Sequence, residues 1–247
     1  MTLALSVGLM PKGPVAEVAD LAILAEGLGY RRCWVYDEGL VTRDVYVTLT
    51  AIALATERIL LGPGITNPYV RHPGVTAAAV ATLDELSGGR AFVGLGAGGG
   101  LTLDPLGINR RRPVAALGDM VGALRDLFEG RTVDLEGEVF SFRSASLGYG
   151  RPAIEVFLAG RGPLVTRLGG EVADGLANVA GLVATAAVRL RRPSACRCGQ
   201  VLGARARGPR RARRCTRPQN AFPSPRGGRW LRGPRNDRRE WPSSPPR

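Results

Sequence analysis

The chain has 247 residues, 45% of them hydrophobic, and a formal net charge of +13. That length suits one large α/β domain or two small ones and can bury a sizeable core, while the lack of any apolar run near ~18 residues and of any collagen or heptad period excludes membrane-spanning, collagen-like and coiled-coil classes. Four cysteines (Cys33, Cys196, Cys198 and Cys215) are too few for a disulfide scaffold, and the apolar start shows no basic leader or cleavage site, so a cytoplasmic protein is expected.

Leu3–Gly8 reads as a strand. Pro14 opens a helix with apolar positions at Val15, Val18, Leu21, Ala22, Ala25 and Leu28, a period near 3.6, closed by Gly29. Arg32–Tyr36 is a second strand, followed by a helix over Asp44–Ala55. Ile59–Gly64 is a third strand. Val75, Ala78, Ala79, Thr82, Leu83 and Leu86 mark the next helical face, ended by Gly88-Gly89. Ala91–Leu95 is a fourth strand, and a Gly-rich loop without a helix is expected after it. Val114, Leu117, Val121, Leu124 and Phe128 then mark an amphipathic helix. Thr132–Phe142 alternates in two arms around Glu136-Gly137, a hairpin pattern. Ile154–Ala159 is a fifth strand, Leu164–Val172 a helix and Gly175–Val179 a sixth strand. Nearly all the strands are apolar on both faces, so they are expected to be parallel and covered by helices. A doubly wound open sheet and a (β/α)8 barrel both satisfy this pattern.

The composition changes near Leu182, which divides a body of residues 1–182 from a tail of residues 183–247. Residues 189–247 hold 18 arginines, no lysine and two acids, a net of +16; the body before them holds 16 basic and 19 acidic side chains, a net of −3. So few aliphatic residues cannot offset the entropy of ordering, and the tail is expected to be disordered. A nucleic-acid-binding arm with Trp230 and Trp241 as stacking groups is one reading. The favoured reading is a GC-rich coding region translated out of frame, because a selected basic arm ordinarily mixes lysine with arginine. Cys196, Cys198 and Cys215 lack a fourth ligand, so no metal site is expected.

Five groups of body residues could carry chemistry. Gly94, Gly96 and Gly99 satisfy G-x-G-x-x-G after a strand, but no helix is expected to start there, and the first acid about 20 residues on, Asp119, falls inside a helix rather than at a strand end, so a dinucleotide site is not expected; close approach of a flat ligand to the backbone at Gly96 and Gly98 stays open. Gly62–Pro68 is dense enough for a backbone bulge at a strand's carboxyl end. His72, the only histidine, is either a proton-transfer group or a helix-start contact. Gly160, Arg161 and Gly162 join a strand to a helix, and free N–H groups with an arginine there suit a phosphate. Asp37 and Glu38 end the second strand and are paired acids for acid–base work, or else helix caps.

The stretches GPGITNPYVRHPGVTAAAVATLDELSGGRAFVGLGAG (Gly62–Gly98) and AGRGPLVTRLGGEVADG (Ala159–Gly175), with Asp37 and Tyr46, resemble the bacterial-luciferase-like flavin and deazaflavin oxidoreductases. Within them the chain is most similar to the methylene-tetrahydromethanopterin reductase type. The resemblance implies a (β/α)8 barrel, of which only about six strands are readable. It implies that Gly64 and Ile65 form the bulge behind the cofactor ring, often with a cis peptide, that Thr66 and Asn67 sit beside the ring, and that Gly160, Arg161 and Gly162 hold the cofactor phosphate. The chain has Ser6 and Gly99 where the reductases often have acids, and Glu38 where many relatives have histidine.

The resulting expectation is a hydride transfer between coenzyme F420 and a small organic substrate, a methylene-tetrahydropterin among the candidates. Catalytic roles fall to Asp37, Glu38 and His72. The alternatives are an FMN-dependent monooxygenase on the same fold, a nucleic-acid-binding protein acting through the tail, and an inactive truncated product. A homo-oligomer is compatible with the family fold.

Overall fold

The computed structural model describes residues 5–177. The tail, its expected disorder, its cysteines and the boundary at Leu182 lie outside the described residues. Eight strands and six α-helices follow one another in the body: β1 (Ser6–Leu9), α1 (Val15–Gly27), β2 (Arg32–Val35), α2 (Val45–Ala55), β3 (Leu60–Pro63), α3 (Pro73–Leu86), β4 (Phe92–Gly96), α4 (Gly100–Leu103), α5 (Pro113–Phe128), β5 (Val133–Glu136), β6 (Ser141–Ala145), β7 (Glu155–Ala159), α6 (Pro163–Val172) and β8 (Gly175–Ala177). Every element expected within these residues is present, and one further α-helix is found. A short helix, α4, does start after Gly99, followed by a tight turn over Asp104–Leu106. Four residues are too few to produce a readable hydrophobic period.

Strands β1, β2 and β3 pair in parallel, and so do β4, β7 and β8. Parallel bridges Leu61–Ala91 and Thr66–Leu95 join β3 to β4. The parallel series is therefore β1-β2-β3-β4-β7-β8, with helices between successive strands. The antiparallel β5–β6 hairpin stands outside it, with Glu136 paired to Ser141 across the turn.

Alternate residues of the strands face inward and stack in levels. Arg32 pairs with Glu155 at the amino end. Above them Trp34, Phe92 and Phe157 pack with ring centroids 4.4, 5.2 and 5.7 Å apart. Edge-on aromatic clusters of this kind fill an interior that aliphatic side chains alone would leave loose. Ile65 and Ala159 form the level at the carboxyl end. The outer faces of the strands, with the helices, form the larger core around Cys33, Val35, Leu61, Val93, Leu95, Val156 and Leu158.

Two helical faces differ from those the apolar pattern indicates. On α1 the buried residues are Val18, Ala19, Ala22 and Ala25, while Leu21 and Leu28 are exposed. On α3 the buried face runs through Thr76, Ala77, Val80, Ala81, Leu83 and Asp84, while Val75 and Leu86 are exposed. Polar residues hide the true face of α3. Asp84 is buried because its carboxylate accepts two hydrogen bonds from Arg151, at 2.6 and 2.8 Å, and a third from the Ala91 N–H at 3.1 Å. It thereby ties the end of α3 to the start of β4 and to the segment before β7. Asp84→Ala leaves Ala91 N–H and the guanidinium without their acceptor, so we expect a loss of about 2–4 kcal/mol in urea-unfolding free energy.

Candidate functional site

The carboxyl ends of β2, β3, β4 and β7 surround a cavity of about 370 Å³. The exit of β3 forms its floor. Between the two bridges that join β3 to β4, the β3 side advances five residues and the β4 side four, so one residue is extra. This is a bulge. It contains the cis peptide Gly64–Ile65. Gly64 N–H donates to Val35 O at 2.7 Å, Thr66 N–H to Gly94 O at 2.9 Å, and Gly96 N–H returns to Thr66 O at 2.8 Å. The extra residue is thus pinned on both sides.

The same bulge explains the glycines of β4. A Cβ on Gly96 would lie 2.1 Å from Ile65 Cδ1; one on Gly94 would lie 2.6 Å from Pro63 O and 2.9 Å from the Trp34 ring. The G-x-G spacing therefore makes room for Ile65 and the indole. No dinucleotide phosphate is needed to account for it.

Asp37 and Glu38 line the cavity from β2, Gly64, Ile65, Thr66 and Asn67 from the bulge, Gly98 from the loop after β4, and Gly160 and Arg161 from the end of β7. Gly96 and Gly162 do not line it. Gly96 is covered by Ile65, and Gly162 is the cap residue of α6, its carbonyl accepting from the backbone N–H and hydroxyl of Thr166 at 3.1 Å. His72 is also outside. Its Nδ1 accepts from Gly74 N–H at 3.1 Å and its Nε2 donates to Ser141 O at 3.0 Å, while its ring packs against Phe142. With both nitrogens engaged, His72 caps α3 and latches the hairpin to it; a proton-transfer role has no free nitrogen to use. Neither Asp37 nor Glu38 caps α2, whose cap is Asp44, accepting from Tyr46 N–H and Val47 N–H.

The lining also contains Tyr36, Ala97, Gly99, Thr102 and Arg110. Thr102 sits on α4 and its hydroxyl donates to Glu38 Oε2 at 3.0 Å, so the undetected short helix is what orients Glu38. Arg110 donates to Gly98 O at 2.9 Å and brings a second cation to the rim. No motif marks Arg110; only the fold of the loop carries it back. Asn67 is buried, and its Oδ1 accepts from Tyr69 N–H and Val70 N–H at 3.0 and 3.1 Å, holding the bulge's outgoing loop.

Burial pushes the Asp37 carboxyl above the usual carboxylate range; the Thr66 hydroxyl, near but outside hydrogen-bond geometry, and the Arg71 guanidinium pull the other way, while Asp44 and Glu38 add to the rise. A carboxyl so poised in a cleft is a candidate for proton handling. Among the described residues, no helix is long and apolar enough to cross a membrane.

Parallel strands alternating with helices, with a bulge-floored cavity at their carboxyl ends, define an α/β-barrel type of protein, a fold whose ligand sites ordinarily lie at that face. The chain belongs to the luciferase-like monooxygenase family, whose model matches residues 2–195. A 5,10-methylenetetrahydromethanopterin reductase of Methanolobus tindarius is 37% identical over 167 residues, covering 68% of this chain and 51% of that protein. An F420-dependent glucose-6-phosphate dehydrogenase of Nakamurella multipartita is 34% identical over 183 residues, covering 68% and 53%. The solved coenzyme F420-dependent tetrahydromethanopterin reductase of Methanopyrus kandleri superposes with a TM-score of 0.67 at 30% identity, covering 72% of this chain and 56% of that one. The chain thus spans about half the length of the curated relatives it matches. The resemblance read from Gly62–Gly98 and Ala159–Gly175 and the expected barrel class are both borne out.

The raised Asp37 carboxyl has a consequence for stability. The folded state holds that proton to higher pH than the unfolded chain, so its contribution to stability falls as pH rises from the ordinary carboxylate value through the raised one. Asp37→Asn removes this pH-dependent cost. The variant should gain stability over the wild type at pH 7, and the gain should shrink toward pH 4, as urea midpoints at the two pH values would read.

Proposed function

We propose that this chain is an oxidoreductase that holds coenzyme F420 in the cavity and passes a hydride between it and a small organic substrate. The observation that carries the reading is the meeting of three features in one cavity: the Gly64–Ile65 bulge, the Asp37–Glu38 pair and Arg161. The F420 dependence of two relatives that act on different substrates supports the cofactor class. The residues present fit such a group. The bulge offers its backbone to the cavity, with Ile65 and Ala97 in the lining. Arg161 stands before the amino end of α6, where unbonded N–H groups and a guanidinium together suit a phosphate.

Bound there, F420 supplies the hydride chemistry from its deazaflavin ring. The protein's part is to bind and orient. Thr66 and Asn67 line the same wall. Glu38, oriented by Thr102, lines the same cavity as Asp37, so two carboxyls border the space where substrate would sit. A substrate with an electrophilic carbon suits this arrangement, and a methylene-tetrahydropterin is one such compound.

Binding can be read from F420 fluorescence. The full chain should bind F420, and Arg161→Ala should weaken it about tenfold by removing one charge-assisted contact. Tight FMN binding with oxygen uptake on turnover, in a protein that ignores F420, would replace this reading with that of a flavin monooxygenase.

A further inference from the structure

Six buried side-chain polar atoms have no hydrogen-bond partner among the described residues, and four of them are Asp37 Oδ2 and Thr66 Oγ1, on residues that line the cavity, with Tyr46 OH and Thr76 Oγ1. They come from four separate segments: the end of β2, the first turn of α2, the bulge after β3 and the first turn of α3. The Asp37 charge adds to the rise that burial imposes on the Tyr46 phenol and the Thr76 hydroxyl opposes it, while the Thr66 hydroxyl pulls the Asp37 carboxyl down. The order is therefore Thr76, Tyr46, Asp37, Thr66. Buried groups of this kind are rarely left dry, and a single internal water among several polar partners satisfies them together.

The surroundings favour an ordered cluster. The Arg71 guanidinium lies 4.7 Å over the Tyr46 ring and pairs with Asp44 at 3.1 Å, so the phenol is roofed. Burial pushes the Tyr46 phenol up, so it stays protonated and able to donate. The charged groups facing Asp37 are Arg71, Asp44 and Glu38. Thr76 lies on the buried face of α3 that the apolar pattern does not reveal.

We propose that Tyr46 is a positioning residue for Asp37: its hydroxyl, backed by Thr76, reaches the Asp37 carboxyl through one internal water and, with Thr66 opposite, supports its anionic form. The cluster opposes part of the rise that burial imposes on the carboxyl, and leaves Asp37 able to take up and return a proton at the cavity wall. The use assigned to that proton rests on the F420 oxidoreductase reading; the hydroxyl chain itself does not.

The test is carbon NMR of the full-length protein carrying ¹³C-labelled aspartate, with the Asp37 carboxyl identified by its loss in Asp37→Asn. Tyr46→Phe should raise the midpoint of that signal by roughly one pH unit, because a donor to the carboxylate is removed. Thr76→Val should move it the same way by less. Thr82→Val is the control: it is exposed on the same helix and its hydroxyl already donates to Ala78 O at 2.8 Å. A packing role alone would change the melting temperature and leave the titration in place. An unmoved or lowered midpoint in Tyr46→Phe overturns the proposal, whatever Thr76→Val does. F420 fluorescence on the same proteins tests the functional reading separately. A shifted midpoint in a protein that holds no F420 keeps the hydroxyl chain and removes only its assigned use.

Discussion

The carboxyl end of this molecule depends on one extra residue between two strand pairings. β3 must rejoin β4 at Thr66 after spending five residues where β4 spends four. The surplus cannot lie flat in a parallel ladder, so the backbone arches into the interior at Gly64–Ile65. The Ile65 side chain then needs space, which Gly94 and Gly96 provide. Those glycines in turn bring β4 close enough to pack under the arch, with Trp34 beneath. Strand pairing, glycine placement and aromatic packing are therefore one constraint, and the cavity floor is its result.

The walls follow from connections that converge on that floor. β2 ends in two acids, and the neighbouring segments treat them differently. Glu38 is held by a hydroxyl from α4, whereas Asp37 is buried against groups that do not reach hydrogen-bond geometry. Two carboxyls adjacent in sequence thus acquire different environments, one bonded by a hydroxyl and the other buried without a partner. Arg161 and Arg110 enter from opposite loops and give the rim positive charge. Family membership and this geometry meet on one face.

The rest of the body serves to keep that face in register. Asp84 fastens α3 to β4 and to the approach to β7, His72 fastens α3 to the hairpin, and Glu26 binds three successive N–H groups, of Glu57, Arg58 and Ile59, at the entry to β3. Each is a polar side chain spent on loop geometry at a point where backbone groups would otherwise go unpaired.

The order of strands and helices in the body was legible in the sequence, because buried parallel strands are short apolar runs and Gly or Pro punctuates their ends. Gly64, Ile65, Asp37 and Arg161 could be named for the same reason: strand exits are marked locally, and their motifs resemble a known family. Local signals fail where burial is decided by a distant partner. Leu21 and Leu28 look like core and are exposed, whereas Asp84 and Thr76 look like surface and are buried. His72 looked like chemistry until Ser141, sixty-nine residues away, accounted for its second nitrogen. Thr102 and Arg110 carry no motif, and only the folding of the loop after β4 brings them to the cavity. The sequence by itself determined which segments are strands and which exits are unusual, since both depend on neighbours along the chain. The tertiary structure alone decided which side chains share the cavity and which polar atoms are left unpaired behind it, since those depend on neighbours in space.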